Sequence, residues 1–476
     1  MGSRTDLQSE RSELLSLMLA REPLNAESKP PRYVPIERPP LLPLSHAQER
    51  LLLIHRADNL GSAWNIPLRV RLIGSLNIDA LRASLTEVVR RHESLRTRIG
   101  ILENGTAAQL IDLARPAEIL RFDLSHYPES ERVARAEAIT REVRAQPFDF
   151  SVSLFRVGLI RISAIDHVLI AVVHHIVSDG WSIQLLRREI STYYNAFLRG
   201  ASAPLPDLPM QFVDYVLWQK QWLEGPMMDR QLEYWVGRLK NETTLELPTD
   251  RPRPRVPSYR GATLEFLLSR DDVKALTDYA HRQQATLFMV LFAALNVMLS
   301  GWSGQRRPVI GIPVSGRRLK QVDGVIGYFI NTLAICTEVA EKSTFEALLD
   351  GVRTAIIGAF AHQDLPQAVL EAKLRNVRDV DGQPLYRILF AFQNFPTGST
   401  PIEGLQQSAF RAEATTSRRD LSVFVYEVAG GLRIVAEYAA DLFNESTIEL
   451  ALRRFESILA QIKDDPRRLV SRLQSA

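Results

Sequence analysis

The sequence predicts a mixed α/β (α+β) fold that is divided into two lobes, and three observations support this prediction. The chain has 476 residues, which is long enough for two or more core-forming units. Amphipathic helical segments and apolar strand-like segments occur together, without a strict alternation of strand and helix. A stretch rich in Ala, Pro and Leu at 200–209 separates two halves of similar element content, so the junction between the lobes is expected there.

Composition and charge exclude several classes of protein. Hydrophobic residues make up 46% of the chain and charged residues 24%, which is typical of a globular protein. The formal net charge is only +3 and the arginines occur in short scattered clusters, so no nucleic acid partner is expected. A single cysteine, Cys336, excludes an internal disulfide framework and indicates a reducing, cytoplasmic location. No apolar run reaches the roughly 18 residues of a membrane span, so no membrane is expected either.

The segment 1–43 is predicted to lie outside the folded lobes. Residues 6–21 have the spacing of a short amphipathic helix, which is too short to be stable alone and is therefore expected to dock on another surface. Residues 22–43 contain seven prolines and are predicted to be a linker. This segment is a candidate docking arm, and the folded chain is expected to begin at Leu44.

The first lobe is predicted over 44–205. Helices are expected from Leu44 with Ser45 as the N-cap, over Ile78–Arg91 and over 129–145. Strands are expected at Leu68–Ile73, 107–112, 118–122, 154–162 and 167–174.

The second lobe is predicted over 206–476 and repeats the mixed pattern. Its helices are expected from Phe212 and over 271–283, 286–300, 344–361 and 446–463. Its strands are expected at 262–268, 308–312, 329–337, 386–394, 421–428 and 432–438.

The most informative stretch is 166–182, where a buried strand ends in two histidines and a sharp turn. The apolar run Val168–Val173 predicts the strand, and His174 and His175 follow it. Because side chains alternate along a strand, the two imidazoles are expected to point to opposite sides. The turn at Asp179-Gly180 then begins an amphipathic helix. A histidine pair alone is more often ordinary packing, so the interpretation depends on the whole string His-His-x-x-x-Asp-Gly.

That string resembles the active-site signature of the condensation domains of nonribosomal peptide synthetases, a superfamily that includes chloramphenicol acetyltransferase. Seven further motifs of that family occur in order along the chain. They are Leu44–Leu51, Ser62–Pro67, Arg91–Thr97, Asp214-Tyr215 with Trp218-Gln219, Ile326–Thr332, His362–Pro366, and Arg378-Asp379 with Pro384-Leu385 and Phe392–Asn394. Eight ordered matches over 44–394 make the resemblance strongly specific.

Related families fit less well. Heterocyclising relatives replace the histidine pair with Asp-x-x-x-x-Asp, and plant-type acyltransferases carry Asp-Phe-Gly-Trp-Gly in the second half; neither string is present. Epimerising relatives lack the Asn-Thr motif found here at Asn331-Thr332. Carrier-recruiting relatives without catalysis lose the second histidine, whereas His175 is retained.

The resemblance implies a V-shaped pair of chloramphenicol-acetyltransferase-like lobes with a tunnel between them. It places His175 at the middle of the tunnel and assigns the catalytic signature to His174, His175, Asp179 and Gly180. By the same resemblance a floor loop lies at about 311–331 and a latch crosses to the first lobe at about 400–425. The residues that it places along the tunnel are Trp181, Ser182, Tyr328, Asn331 and Thr332.

The implied reaction is attack of an α-amine on an acyl thioester, which forms an amide. His175 acts either as general base for the attacking amine or as a group that orients it by a hydrogen bond, and the sequence leaves both roles open. Gly180 allows close approach of the substrate to the backbone. We interpret Asp179 as structural and expect it to form an ion pair with Arg96.

The resemblance also implies the partners. We expect no metal and no bound cofactor, because 4′-phosphopantetheine arrives on the carrier proteins. The acceptor is an aminoacyl group on a peptidyl carrier protein, and an adenylation domain is expected downstream. For the donor, the interpretation that we favour is a starter domain that takes a fatty acyl group from coenzyme A or a carrier. The alternatives are an L-to-L elongation domain with a peptidyl carrier donor and a module that only binds carriers.

Overall fold

The structure is a computed structural model that describes residues 30–58, 61–375, 384–393, 400–410 and 416–474. The predicted helix over 6–21 lies outside the described residues, as do Arg378 and Asp379 of the last motif. The helices are α1 His46–Asp58, α2 Ile78–Arg91, α3 Glu129–Ala145, α4 Gly180–Leu198, α5 Phe212–Trp222, α6 Pro226–Leu239, α7 Arg270–Arg282, α8 Leu287–Ser303, α9 Phe345–Ala361, α10 Gln367–Arg375, α11 Glu445–Asp464 and α12 Val470–Gln474.

The strands are β1 Leu42–Pro43, β2 Asn65–Gly74, β3 Thr97–Ile101, β4 Ala107–Ile111, β5 Leu120–Asp123, β6 Phe155–Ser163, β7 Asp166–His174, β8 Gly261–Ser269, β9 Val309–Val314, β10 Asn331–Cys336, β11 Ile388–Gln393, β12 Leu405–Ala409, β13 Leu421–Val428 and β14 Gly431–Ala439. Short 3₁₀ turns lie at Glu93–Arg96, His175–Val177 and Lys320–Val322.

The first lobe is built on a five-stranded sheet with the order β12-β2-β7-β6-β5, in which β7 pairs antiparallel with both β2 and β6. Every residue of β7 from His167 to His174 is buried, as expected for an unbroken apolar strand in the middle of a sheet. A smaller sheet, β1-β4-β3, lies beside it. The carboxyl end of the central strand therefore delivers the histidine pair into the interior of the molecule.

The second lobe is built on a six-stranded sheet with the order β10-β9-β11-β13-β14-β8. The helix α8 is apolar on all sides and nearly all of its residues are buried in the core of this lobe. Within the described residues no single helix is long and apolar enough to cross a bilayer. The pair α7–α8 reaches that length only together, across a bend of 100°.

Two segments of the second lobe reach the first. The loop between β9 and β10, residues 315–330, reaches α4 of the first lobe, where the Trp181 Nε1–H donates to the carbonyl of Asp323. Further along the chain, β12 leaves the second lobe and pairs antiparallel with β2 at the edge of the first sheet. The chain then returns to the second sheet as β13. These segments lie where the resemblance implied a floor loop and a latch, although residues 411–415 of the latter lie outside the described part.

Candidate active site

His174, the first histidine of the signature, is a packing residue in the structure. Its Nδ1 accepts a hydrogen bond of 3.2 Å from the backbone N–H of Ile176, and its ring packs edge-on against Phe150 at 4.6 Å between centroids. Burial lowers the pKa of His174 well below its ordinary value, because the charged ring would lose its hydration. The side chain is therefore neutral and holds the turn that follows β7.

His175 lies on the other side of the strand end, between two aromatic rings. The chain turns into a 3₁₀ helix at this residue, and the backbone N–H of His175 donates to the carbonyl oxygen of Trp64 at 2.9 Å. The imidazole contacts Tyr328 at 4.8 Å and Trp64 at 5.4 Å between ring centroids. Only 8% of His175 is exposed, and its Nδ1 is buried without a hydrogen-bond partner among the described residues.

The environment of His175 keeps its ring unprotonated. Burial first, and then the positive charge of Arg418, lower the pKa of His175 to about 3. At neutral pH the imidazole thus presents a lone pair in a site from which most water is excluded. Such a group accepts a hydrogen bond well, but its low pKa makes it a weak base.

Asp179 begins α4 and binds groups from both lobes. Its Oδ1 accepts hydrogen bonds from the backbone N–H and the hydroxyl of Ser182, at 2.8 and 2.7 Å. Its Oδ2 accepts a bond of 3.2 Å from the backbone N–H of Phe329, in the loop between β9 and β10. The guanidinium of Arg317, from the same loop, lies 3.4 Å from Oδ1. The carboxylate is thus both a helix N-cap and a tie between the lobes.

The predicted ion pair between Asp179 and Arg96 is wrong. Arg96 donates to the backbone carbonyl of Asp112 and lies 3.9 Å from Glu93, so its guanidinium is occupied on the other side of the 3₁₀ turn. The partner is Arg317, which lies in one of the short arginine clusters that were interpreted only as scattered charge. The position of Arg317 inside the expected floor loop was the sequence signal that could have identified it as the partner.

Gly316 explains how that loop reaches Asp179. Its φ is 63°, a left-handed conformation that glycine adopts without strain. A Cβ at this position would lie 1.9 Å from the carbonyl oxygen of Phe329. Only glycine therefore lets the two ends of the loop approach closely enough to present Arg317 and Phe329 to the same carboxylate.

The other residues that the resemblance placed along the tunnel fall into two groups. Trp181 and Ser182 follow Gly180 in the first turn of α4, where the Trp181 Nε1–H donates to the carbonyl of Asp323 at 3.0 Å. Asn331 and Thr332, by contrast, line a cavity of about 50 Å³ together with Tyr328, between α1, α5 and α10. Tyr328 joins this cavity to the histidine, since its ring also contacts His175.

The side chain of Asn331 supports the wall of this cavity. Its Nδ2 donates to the carbonyls of Gln363 and Leu365, at 2.9 and 2.7 Å, and its Oδ1 accepts from the backbone N–H of Gln367 at 3.1 Å. All three of these hydrogen bonds are made with backbone groups just before α10 and at its first residue. In this structure Asn331 is thus a brace.

A second buried network, which was not predicted from the sequence, binds the backbone of the floor loop. The Nδ1 of His92 accepts a hydrogen bond of 3.2 Å from the backbone N–H of Ile326, so the proton of the neutral ring lies on Nε2. That Nε2 lies 2.8 Å from Glu189 on α4, and Arg91 also contacts Glu189 at 3.3 Å. The network fixes Ile326 two residues before Tyr328, and with it the ring against His175.

Comparison with known proteins identifies a family. The family model described as "Condensation domain" matches residues 41–476. One of the proteins that form the linear gramicidin synthase of Brevibacillus parabrevis is 37% identical over 435 residues, which cover 90% of this chain but only 8% of that protein. The chain therefore spans less than a tenth of the length of this curated relative.

Solved structures of similar fold point the same way. The X-domain from teicoplanin biosynthesis superposes with a TM-score of 0.84 at 25% identity, covering 93% of this chain and 99% of that one. The starter condensation domain of rhizomide synthetase superposes with a TM-score of 0.78 at 19% identity, covering 90% of this chain and 96% of that one. These likenesses confirm the mixed two-lobe fold.

Proposed function

The chain belongs to the condensation-domain family of nonribosomal peptide synthetases, and we propose that His175 orients the amine that this domain condenses with an acyl thioester. Condensation domains of these synthetases catalyse amide formation, which is an acyl transfer, so the general reaction follows from the family. The observation that supports the role of His175 is its neutral, nearly buried imidazole between Trp64 and Tyr328.

In the proposed reaction the α-amine of the acceptor attacks the carbonyl carbon of the donor thioester. The C–N bond forms, the C–S bond breaks, and the proton lost by the amine ends on the released thiol. About a tenth or more of an α-amine with a pKa of 7.7–8.0 is already neutral at pH 7. The imidazole therefore has little need to remove a proton beforehand, and a hydrogen bond from the amine to its lone pair directs the attack.

The groups around Asp179 act by holding this geometry. Asp179, Arg317 and Ser182 bind each other and nearby backbone groups, so their contribution is to fix the turn that follows His175. Tyr328 belongs to the floor loop, and its neighbour Phe329 ties that loop to the same carboxylate through the backbone N–H. We assign positioning roles to these residues.

For the donor, we propose a starter domain that accepts a fatty acyl group from coenzyme A or a carrier protein. The second candidate is an L-to-L elongation domain, whose donor is a peptidyl group on a carrier. Pantetheine comes with the substrates in either case, and we propose that the domain itself binds no cofactor. The proposed partners are an acceptor carrier protein, a donor carrier or acyl coenzyme A, and a downstream adenylation domain.

A binding module without catalysis is a third candidate, because one solved relative, the X-domain from teicoplanin biosynthesis, forms a complex with OxyB. The retained His175, whose neutral ring lies between Trp64 and Tyr328, argues for catalysis instead.

Two parallel incubations separate the three candidates. In each, the protein is mixed with an aminoacyl carrier protein and one donor, either octanoyl coenzyme A or a dipeptidyl carrier protein, and the mass of the species on the acceptor carrier is measured. An N-octanoyl aminoacyl product supports the starter assignment. A product only from a dipeptidyl carrier donor supports elongation, and carrier binding without any product with either donor would overturn the catalytic proposal.

A further inference from the structure

Arg418 occupies an unusual position beside the proposed reaction centre. Its Cζ lies 4.6 Å from the centre of the Trp64 ring. The centre of the same ring lies 5.4 Å from the centre of the His175 ring. The guanidinium is therefore no more than about 10 Å from the imidazole, because the two distances meet at the Trp64 ring. This cation thus lies within the length of a substrate side chain of the position proposed for the acceptor amine.

Among the described residues the guanidinium of Arg418 has no hydrogen bond or ion pair, and its cation–π contact with Trp64 uses the face of the group and not its N–H bonds. The side chain is exposed by surface area. Nevertheless, the surrounding protein lowers its pKa by desolvation. Exposure and desolvation occur together when a side chain lines an open channel. Such a side chain is reachable by solvent and is enclosed by protein on most sides.

Other positive charges reinforce Arg418. Arg144 acts on it electrostatically and donates a hydrogen bond of 2.7 Å to the hydroxyl of Thr416, two residues before it. Burial first, and then the charge of Arg144, lower the pKa of Arg69 on β2. The carboxylate with the largest effect on Arg418 is Glu437, which acts on Arg144 as well.

We infer that Arg418, supported by Arg144, forms an anion subsite for the side-chain carboxylate of an aspartyl or glutamyl acceptor. This inference deepens the proposed function and rests on it. Once the acceptor amine is hydrogen-bonded to His175, the carboxylate of such a residue lies only two or three carbon atoms beyond the Cα that bears the amine. From this Cα the side-chain carboxylate extends toward Arg418.

The phosphate of the pantetheine arm is the other anion that enters the channel, and it fits this position poorly. It is joined to the thioester sulfur by a long flexible chain, so with the thioester at His175 the phosphate lies outside the zone around Trp64. A charge-assisted hydrogen bond in a partly desolvated site discriminates strongly between a carboxylate and its neutral amide. The subsite therefore predicts a preference of glutamate over glutamine.

The test compares stable amide analogues of glutamyl-pantetheine and glutaminyl-pantetheine, whose affinities for the whole protein are measured by calorimetry. We expect the wild type to bind the glutamyl analogue at least tenfold more tightly. In Arg418→Gln the ratio of the two affinities should fall to near one, and Arg418→Lys should keep part of it. Arg255→Gln makes the same change of charge at an exposed position and should leave the ratio unchanged.

Equal affinities of the wild type for both analogues would overturn the inference, and so would a preference that Arg418→Gln leaves intact. The wild-type ratio decides this even if a variant fails to fold. Because binding is measured without turnover, the outcome is separate from the proposed function. Absence of acylation with every acceptor would overturn that function, whereas equal acylation of glutamyl and glutaminyl carriers would overturn the subsite alone.

Discussion

Arg317 of the second lobe lies 3.4 Å from Asp179 of the first lobe, and their side chains are only 2% and 1% exposed. The guanidinium also donates to the carbonyls of Val322 and Val325 and to the hydroxyl of Ser182. The two charges thus compensate each other in a site that excludes water. Removal of one partner leaves the other charge buried without compensation.

A double-mutant cycle should therefore show strong coupling between these two residues. Asp179→Asn and Arg317→Met are each expected to lower the free energy of unfolding by about 3–5 kcal/mol. The double variant has no uncompensated charge and should lose clearly less than the sum of the single losses. Urea unfolding of the four proteins gives the coupling energy.

The control for this cycle pairs Asp179→Asn with Arg96→Ala. Arg96 has its own partners at Asp112 and Glu93, so these two changes should be additive within about 0.5 kcal/mol. Additivity between Asp179 and Arg317, with coupling between Asp179 and Arg96, would contradict the arrangement described here.

Gly316→Ala should slow the reaction without altering any residue that contacts substrate. The new Cβ would collide with the carbonyl of Phe329, and the positive φ adds strain. The loop must then shift and weaken the contact of Phe329 with Asp179. Gly304→Ala is the matched control, because Gly304 has a φ of 72° but no atom within 4 Å of the added Cβ.

Both glycine variants should lose about 1 kcal/mol of stability from backbone strain. Only Gly316→Ala should lose more than that and also lower the single-turnover rate. Equal rates for the two variants at saturating substrate would show that the floor loop does not position the site.

Buried histidines make the stability of the protein depend on pH in a predictable direction. Burial lowers the pKa of His175 to about 3, whereas the unfolded chain has a value near 6.5. Below pH 6.5 the unfolded state binds a proton that the folded state does not, so stability is complete above that pH and falls as the pH decreases toward 3. Burial lowers the pKa of His174 and His92 in the same direction.

Measurement of unfolding free energies at pH 7.5 and pH 5.5 isolates one histidine. The loss between these values should be smaller in His175→Gln than in the wild type, by about 1.4 kcal/mol. An identical loss in both proteins would mean that the imidazole titrates in the folded state as it does in the unfolded chain.

The sequence predicted most of the regular elements because their apolar periodicity is strong. The helix α2 was expected at Ile78–Arg91 and found there, and the central strand β7 begins one residue before its predicted start. The elements that were missed have weaker signals. For example, β12 contains Gln406, Gln407 and Ser408, which do not resemble a strand, and it forms because the exposed edge of β2 offers backbone partners.

Side-chain partners across the lobe boundary were harder to predict. Asp179 was expected to pair with Arg96 of the motif Arg91–Thr97, but its partner Arg317 lies 138 residues away in the sequence. Nothing in local periodicity relates two such positions, since their meeting depends on how the floor loop folds back at Gly316. Arg418 was likewise interpreted as one of several scattered charges, because its position beside Trp64 also depends on the tertiary fold.

The central claim is that the neutral imidazole of His175 directs the acceptor amine, and its most direct test is a single-turnover rate. His175→Ala should lower the rate of amide formation on the acceptor carrier by about 10²–10⁴-fold. His167→Ala, at the buried start of the same strand, is the matched control: it should lower stability and leave the rate within about threefold. A loss of only about 10²-fold fits loss of orientation alone, whereas a His175→Ala rate close to that of the wild type would mean that His175 does not take part in the reaction.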